Sequence, residues 1–305
     1  MRDTGASLRA SNHLPMILTL LAGTALSIQA ATGAAVRIPN LAPAPTGSQV
    51  LAKVGTVQIK AEDIAGVLWE ARGEEILNDF VAYHMLKAQA EKQGVVVSDA
   101  DVMTRMTKLL KEQEANLPPG TDPQAALNDQ GLTAGRLFLN VKTDLLLDGL
   151  VNLAFRPANY VKVSTIIVVP KSKEEADVKD ANDRIARAAA RIKAGETWEK
   201  VAAETIEDPN AKNTGGFLGW RPLDLFPAAV RAEISALSAG GVSGVAATNF
   251  GIQIFRVEGQ GKDAKGGTIE EIKTAAGASL REKILQDIRT NAKVERVPIV
   301  KPKAS

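Results

Sequence analysis

The chain has 305 residues, 45% of them hydrophobic and 24% charged, which gives room for roughly two folded domains. Its 37 basic and 35 acidic side chains leave a net charge of +2, too little for the basic field of a nucleic-acid binder. The chain has no cysteine and only two histidines, His13 and His84, which excludes disulfides, thiol chemistry, a cysteine-linked lipid and a multi-histidine metal centre.

In chain order, Arg2 and Arg9 precede an apolar run from Leu14 to Ile28, broken by Pro15 and Gly23, and then the small residues IQAATGAA. This pattern predicts an export signal over residues 1–30, cleaved after Ala30. The run is short for a bilayer span, which takes roughly 20 apolar residues; a retained anchor near the membrane is the alternative. Residues 31–49 are rich in Ala and Pro and read as a flexible linker. VLAKVGTVQIKAEDI, from Val50, reads as a short hairpin and the start of a helix. Leu77, Phe80, Val81, Met85 and Ala88 recur at helical steps between Glu74 and Gln93, and Gly94 stops them. His84 shares that face, where a structural or surface position suits it better than ligation or catalysis. Ser98 caps a helix that runs to about Asn116, LPPGTDP breaks it, and a further helix covers Thr133 to Ala154 with Leu146, Leu150 and Leu153 on one stripe.

The texture changes at Tyr160, where VKVSTIIVV is a continuous β-branched run expected to form a buried strand. Lys173 to Ala194 is an amphipathic helix striped by Val178, Ala181, Ile185, Ala188 and Ile192, and a short helix follows from Trp198 to Glu204. Then come the glycine loop NTGGFLGW, a short helix near Pro227 to Ile234, and FGIQIFRVEG with strand character. Glu270 to Ala292 is helical again, and VERVPIV reads as a terminal strand. A strand-containing block thus lies between helical flanks. The fold class is α+β, a helical domain built from both chain ends with a compact α+β domain inserted. Taken alone, GGFLGW signals a tight turn, since it lacks the lysine and hydroxyl of a phosphate loop.

The ordered set VSTIIVV, AGETWEKVAAE, EDPNAKNTGGFLGW and LSAGGVSGVAATNFGIQIFRV resembles the parvulin family of peptidyl-prolyl isomerases over residues 160 to 258. The flanking hairpin, helices and Gly94–Asp99 boundary are similar to exported foldases of the SurA and PrsA type. The resemblance implies a helical chaperone domain over 50–158, completed by 268–300, a parvulin-like domain over 159–260, and a tail at 301–305. It also implies extracytoplasmic binding of unfolded client polypeptides and X-Pro segments, without a cofactor or metal. Carried over by motif, the two family histidine positions are Thr165 and Gln253, the aspartate of the glycine stretch is Phe217, and Asp208 keeps an acidic position. These imply a cleft of Asp208, Thr165 and Gln253. Leu218, Phe226, Val230, Thr248 and Phe250 would line the proline site, and the alternative for each is ordinary core or turn packing. With both histidines substituted, three readings stand: a chaperone with weak or lost isomerase activity, an active isomerase with a Thr/Gln/Asp cleft, and a dedicated envelope or export assembly factor.

Overall fold

The structure, a computed structural model, describes residues 38–39 and 41–297, so the expected signal and tail lie outside the described residues. The chain divides into two compact units, one from Val151 to Ile284 and one joining the residues up to Leu150 with those from Leu285. The division falls inside the helix that follows the inserted block, later than the sequence suggests. The reason is packing: Ile272 and Ala276 of that helix are buried against Phe155, Tyr160 and Trp220.

In the first unit, β1 (Val50–Val54) and β2 (Val57–Lys60) form an antiparallel hairpin turned by Gly55 at φ 60°. Helix α1 (Ala61–Leu68), a π-helical turn (Trp69–Gly73) and α2 (Glu74–Lys92) then follow without a break in right-handed helical backbone. The supposed linker is tied down at its end. The N–H groups of Ala61 and Glu62, which lack intrahelical acceptors, donate to the carbonyls of Gln49 (3.0 Å) and Gly47 (3.0 Å). Farther back, Ile38 packs against the core of the helical unit.

Helix α3 (Asp99–Glu114) starts on a reciprocal cap between Ser98 and Asp101. The sequence reading missed α4 (Pro123–Asp129), although Asp122 caps it and Pro123 stands at its first position, both ordinary start signals. Helix α5 (Ala134–Ala154) carries Leu137, Phe138 and Val141 onto Val102, Met106 and Leu127.

One expected stripe was on the wrong side. In α2 the buried residues are Asp79, Tyr83, Leu86 and Ala90, while Leu77, His84 and Ala88 face outward. A buried carboxylate is what a hydrophobicity pattern misreads. Here Arg136 compensates it, its Nε donating to Asp79 Oδ2 at 2.6 Å and its other arm reaching Glu75 at 2.8 Å. The expected terminal strand falls partly outside the described residues: Val294 to Val297 are not in a strand, and 298–300 are not described.

The second unit is an antiparallel sheet of order β4-β3-β6-β5, with β3 (Tyr160–Val168), β4 (Phe217–Pro222), β5 (Ala246–Thr248) and β6 (Gly251–Gln260). Between β3 and β4 come α6 (Glu175–Lys193), α7 (Trp198–Thr205) and α8 (Pro209–Asn213), and α9 (Ala228–Ala236) lies between β4 and β5. Helices α6 and α7 cover one sheet face, closing Ile185, Ala188, Trp198 and Val201 over Ile166, Val168, Ile252 and Ile254. Helix α9 covers the other, with Phe226, Val230 and Ile234 over Val161, Val163, Phe255 and Val257. The last helix, α10 (Gly267–Asn291), begins in this unit.

Candidate functional site

The glycine stretch is a tight turn that leads directly into a strand. Gly215 and Gly216 take φ 61° and 73°, and Phe217 to Pro222 then pair with β3. At Gly216 a side chain is forbidden twice over. The backbone is left-handed, and an added Cβ would stand 1.8 Å from the carbonyl oxygen of Thr165. That close approach lets the Thr165 N–H donate to the Gly216 carbonyl at 2.9 Å, which anchors Thr165 at the point where β3 leaves β4.

Side chains alternate along a strand, so Val161, Val163 and Thr165 share one face of β3, while Gln253, Phe255 and Val257 share the matching face of β6. Thr165 is paired across the sheet with Phe255, and Gln253 is its diagonal neighbour. Three polar side chains meet there. The Thr165 hydroxyl is within donating distance of Gln253 Oε1 (3.0 Å) and of the Ile254 carbonyl (3.1 Å). Gln253 Nε2 donates to Thr248 Oγ1 at 2.7 Å. Thr248 Oγ1 also accepts from the Phe250 N–H (3.1 Å) and donates to the Gly251 carbonyl (3.2 Å). Thr165 is 7% exposed and Gln253 5%, so each bond satisfies a group whose burial without a partner costs about 1–3 kcal/mol. No member of the chain titrates near neutral pH.

Beside it on the same face, Phe226 meets Phe255 edge to face, with ring centroids 5.3 Å apart and an interplanar angle of 89°. Val230 and Leu218 pack on the same cluster. The structure therefore joins Thr165, Gln253 and Thr248 by hydrogen bonds, and Phe226, Val230 and Leu218 by apolar contact. Phe255 was missed by the sequence reading, though its two-residue step from Gln253 places it on the same face. Phe250 stands apart. It belongs to the two-residue turn between Thr248 and Gly251, clear of the sheet, and is 78% exposed. Asp208 is exposed and spent on a cap, its Oδ1 accepting from the Ala211 N–H at 2.8 Å at the start of α8. Phe217 is half-exposed, with the Lys162 ammonium 5.8 Å from its ring centre.

His84 lies in α2 of the other unit, edge-on to Tyr83. Desolvation and, secondarily, Lys87 lower its pKa from the ordinary imidazole value. Among the described residues no group of three or more His, Cys, Asp or Glu side chains is placed to hold a metal ion, and no helix is long and apolar enough to cross a membrane.

Comparison with known proteins agrees with this geometry. Residues 166–259 match the rotamase family model described as a PPIC-type PPIASE domain. The chaperone SurA of Bordetella pertussis is 27% identical over 206 residues, 67% of this chain and 36% of the relative. SurA of Xylella fastidiosa is 37% identical over 78 residues, 26% of this chain and 16% of the relative. The chain thus spans little more than a third of the length of the first of these relatives. Among solved structures, the peptidylprolyl isomerase PrsA of Bacillus cereus aligns over 83% of this chain and 95% of its own at TM-score 0.41 and 17% identity.

Proposed function

We propose that this chain, an α+β protein whose residues 166–259 are a parvulin-type PPIC domain in a SurA- or PrsA-like foldase, is an extracytoplasmic folding factor. It holds unfolded or proline-containing client segments and has weak or no isomerase activity. The observation that carries this reading is the closed chain Thr165–Gln253–Thr248 beside the Phe226–Phe255 cluster. The apolar cluster supports binding of a prolyl ring, which rests on burial at about 25 cal/mol per Å². The polar chain argues against strong catalysis. Rotation about an X-Pro bond faces a barrier of ~18–20 kcal/mol, and lowering it means binding the twisted amide more tightly than either planar form. Groups already bonded to one another have little left to offer that amide.

A second reading has one observation in its favour. Gln253 Nε2 carries two hydrogens, and its bond to Thr248 uses one of them. The remaining N–H is a donor on the sheet face that carries the aromatic cluster, and in an active isomerase it would be the group that tunes the amide.

Exchange NMR on an X-Pro peptide separates the two. The purified chain is expected to broaden peptide signals by binding while barely raising the cis–trans exchange rate. The Thr165→His/Gln253→His double variant is expected to raise it, since a lost catalytic donor typically costs 10²–10³ in rate. Strong acceleration by the unaltered chain, abolished in Gln253→Leu, would establish the second reading instead.

A further inference from the structure

The glycine turn is held from the opposite side of the sheet. Trp198, in the first turn of α7, is buried among Ile166, Val201 and Ile254. Its indole Nε1 donates to the Gly215 carbonyl at 2.9 Å, across 17 positions of sequence. Glycine loses more backbone freedom on ordering than any other residue, so Gly215 and Gly216 need an anchor. The helix before them, α8, is five residues long and mostly exposed, and a helix that short is marginal by itself. Its Lys212 and Ala211 carbonyls accept from the N–H groups of Gly215 (3.1 Å) and Gly216 (2.7 Å). Trp198 adds an anchor that is rooted in the core.

The indole is itself oriented. The Arg256 guanidinium lies 5.1 Å from the Trp198 ring centre, within cation–π range. Arg256 Nη1 donates to Glu199 Oε1 (2.7 Å), on the residue after Trp198, and Arg256 Nε to Glu258 Oε1 (2.8 Å). Glu258 Oε1 also accepts from the Ser164 hydroxyl at 2.6 Å, and Ser164 stands opposite Arg256 in the strand register. The contacts run from Ser164 through Glu258, Arg256, Trp198 and Gly215 to Gly216, whose carbonyl accepts the Thr165 N–H. Thr165 follows Ser164 in the chain and so closes the ring.

We propose that Trp198 is a positioning residue of the client site: its indole N–H fixes the glycine turn, and with it Thr165 on the other face and Leu218 near the start of β4. The role rests on reading the Thr165 face as the site for a proline segment. Leu218 packs on the Phe226–Phe255 cluster, so a displaced turn disturbs both the polar chain and the apolar wall beside it. Phenylalanine at 198 keeps an aromatic ring in the core and has no donor, which separates the N–H from the packing.

Hydrogen exchange by NMR on full-length Trp198→Phe tests this. A lost neutral hydrogen bond shifts an equilibrium by up to about tenfold. The Thr165 amide is therefore expected to exchange up to about tenfold faster relative to those of Ile166 and Ile254 in the β3–β6 pair. Affinity for an X-Pro peptide is expected to fall severalfold with it. Equal acceleration at all three amides would reduce Trp198 to packing, and no acceleration at Thr165 would show that the indole does not hold the turn. Unchanged peptide affinity beside a faster Thr165 would cut the link to the site. Any of these overturns the proposal. The unaltered chain gives a test that needs no variant to fold: the Trp198 indole N–H is expected to exchange about tenfold or more slower than that of Trp69, which is 45% exposed. Comparable rates would also overturn it. Failure of the unaltered chain to bind the peptide would refute the proposed function instead, and the exchange rates would still decide whether Trp198 positions Thr165.

Discussion

The two faces of the four-stranded sheet use alternate residues of the same strands and differ in character. Under α6 and α7 an apolar cluster of Ile166, Val168, Ile252 and Ile254, no more than 6% exposed, is flanked by Ser164, Glu258 and Arg256, the last lying over Trp198. Under α9 the apolar run of Val161 and Val163 gives way to Thr165, and Val257 and Phe255 give way to Gln253. A buried polar pair is costly unless its groups are hydrogen-bonded, and here Thr248 accepts one of the two Gln253 amide hydrogens. On the proposed function, the second face is the one that binds a client segment and the first is scaffold. Threonine and glutamine satisfy each other there, Thr165 Oγ1 lying 3.0 Å from Gln253 Oε1.

The most damaging way to break this contrast is Gly216→Ala. A Cβ 1.8 Å from the Thr165 carbonyl, on a backbone at φ 73°, must push β4 off β3. A loss of about 3 kcal/mol or more in denaturant unfolding is expected, and a loss under about 1 kcal/mol would show that the close approach is not required.

Next come Ile185→Ala on the scaffold face and Phe226→Ala on the other. Each is expected to destabilise by about 3 kcal/mol, yet Phe226→Ala alone should lose binding of a proline peptide in an NMR titration. Equal loss in both would remove the functional distinction between the faces. A smaller effect sharpens the role of the polar chain. Thr165→Val leaves Gln253 Oε1 without its donor and should cost about 1–3 kcal/mol, whereas Thr165→Val/Gln253→Leu should cost less than the sum of the single changes. Strict additivity would mean the two side chains are not coupled.

The smallest effect is a pH control on the scaffold. Arg191 and then Lys200 hold the Glu196 carboxyl down to about 2, from an ordinary value near 4.5. A depressed carboxylate pKa contributes stability above the unfolded value and loses it as pH falls toward the folded one. Glu196→Gln should therefore flatten the acid limb of the stability profile between about pH 4.5 and 2, with no change in peptide binding. An unchanged limb would show that the Arg191 pair adds nothing.

Regular periodicity made much of the fold legible. The β-branched run at Tyr160, the Ala181–Ile185–Ala188 stripe and the Ser98 cap were all readable, because each signal is local and repeats within a few residues. The misreadings have non-local causes. Asp79 is buried because Arg136, far along the chain, pairs with it, so the apparent apolar stripe of α2, half-buried at Phe80, Val81 and Met85 and exposed at Leu77 and Ala88, is not its most buried face. At the site, motif order singled out Thr165, Gln253, Thr248, Phe226, Val230 and Leu218, and the structure joins the first three by hydrogen bonds and the last three by apolar contact. A turn role for Asp208 before Pro209 and turn packing for Phe250 were readings the sequence left open, and the structure places Phe250 on a turn and Asp208 at a cap.

From composition and pattern alone, this protein reads as a mixed α+β chain without thiol or multi-histidine chemistry, carrying a glycine-rich tight turn. Which polar groups bond to which, and which apolar residues close beside them, depended on strand register and on the approach of Gly216 to Thr165. Those are long-range packing outcomes. They join residues nearly ninety positions apart, as in the 88-residue separation of Thr165 and Gln253, and no local preference encodes them.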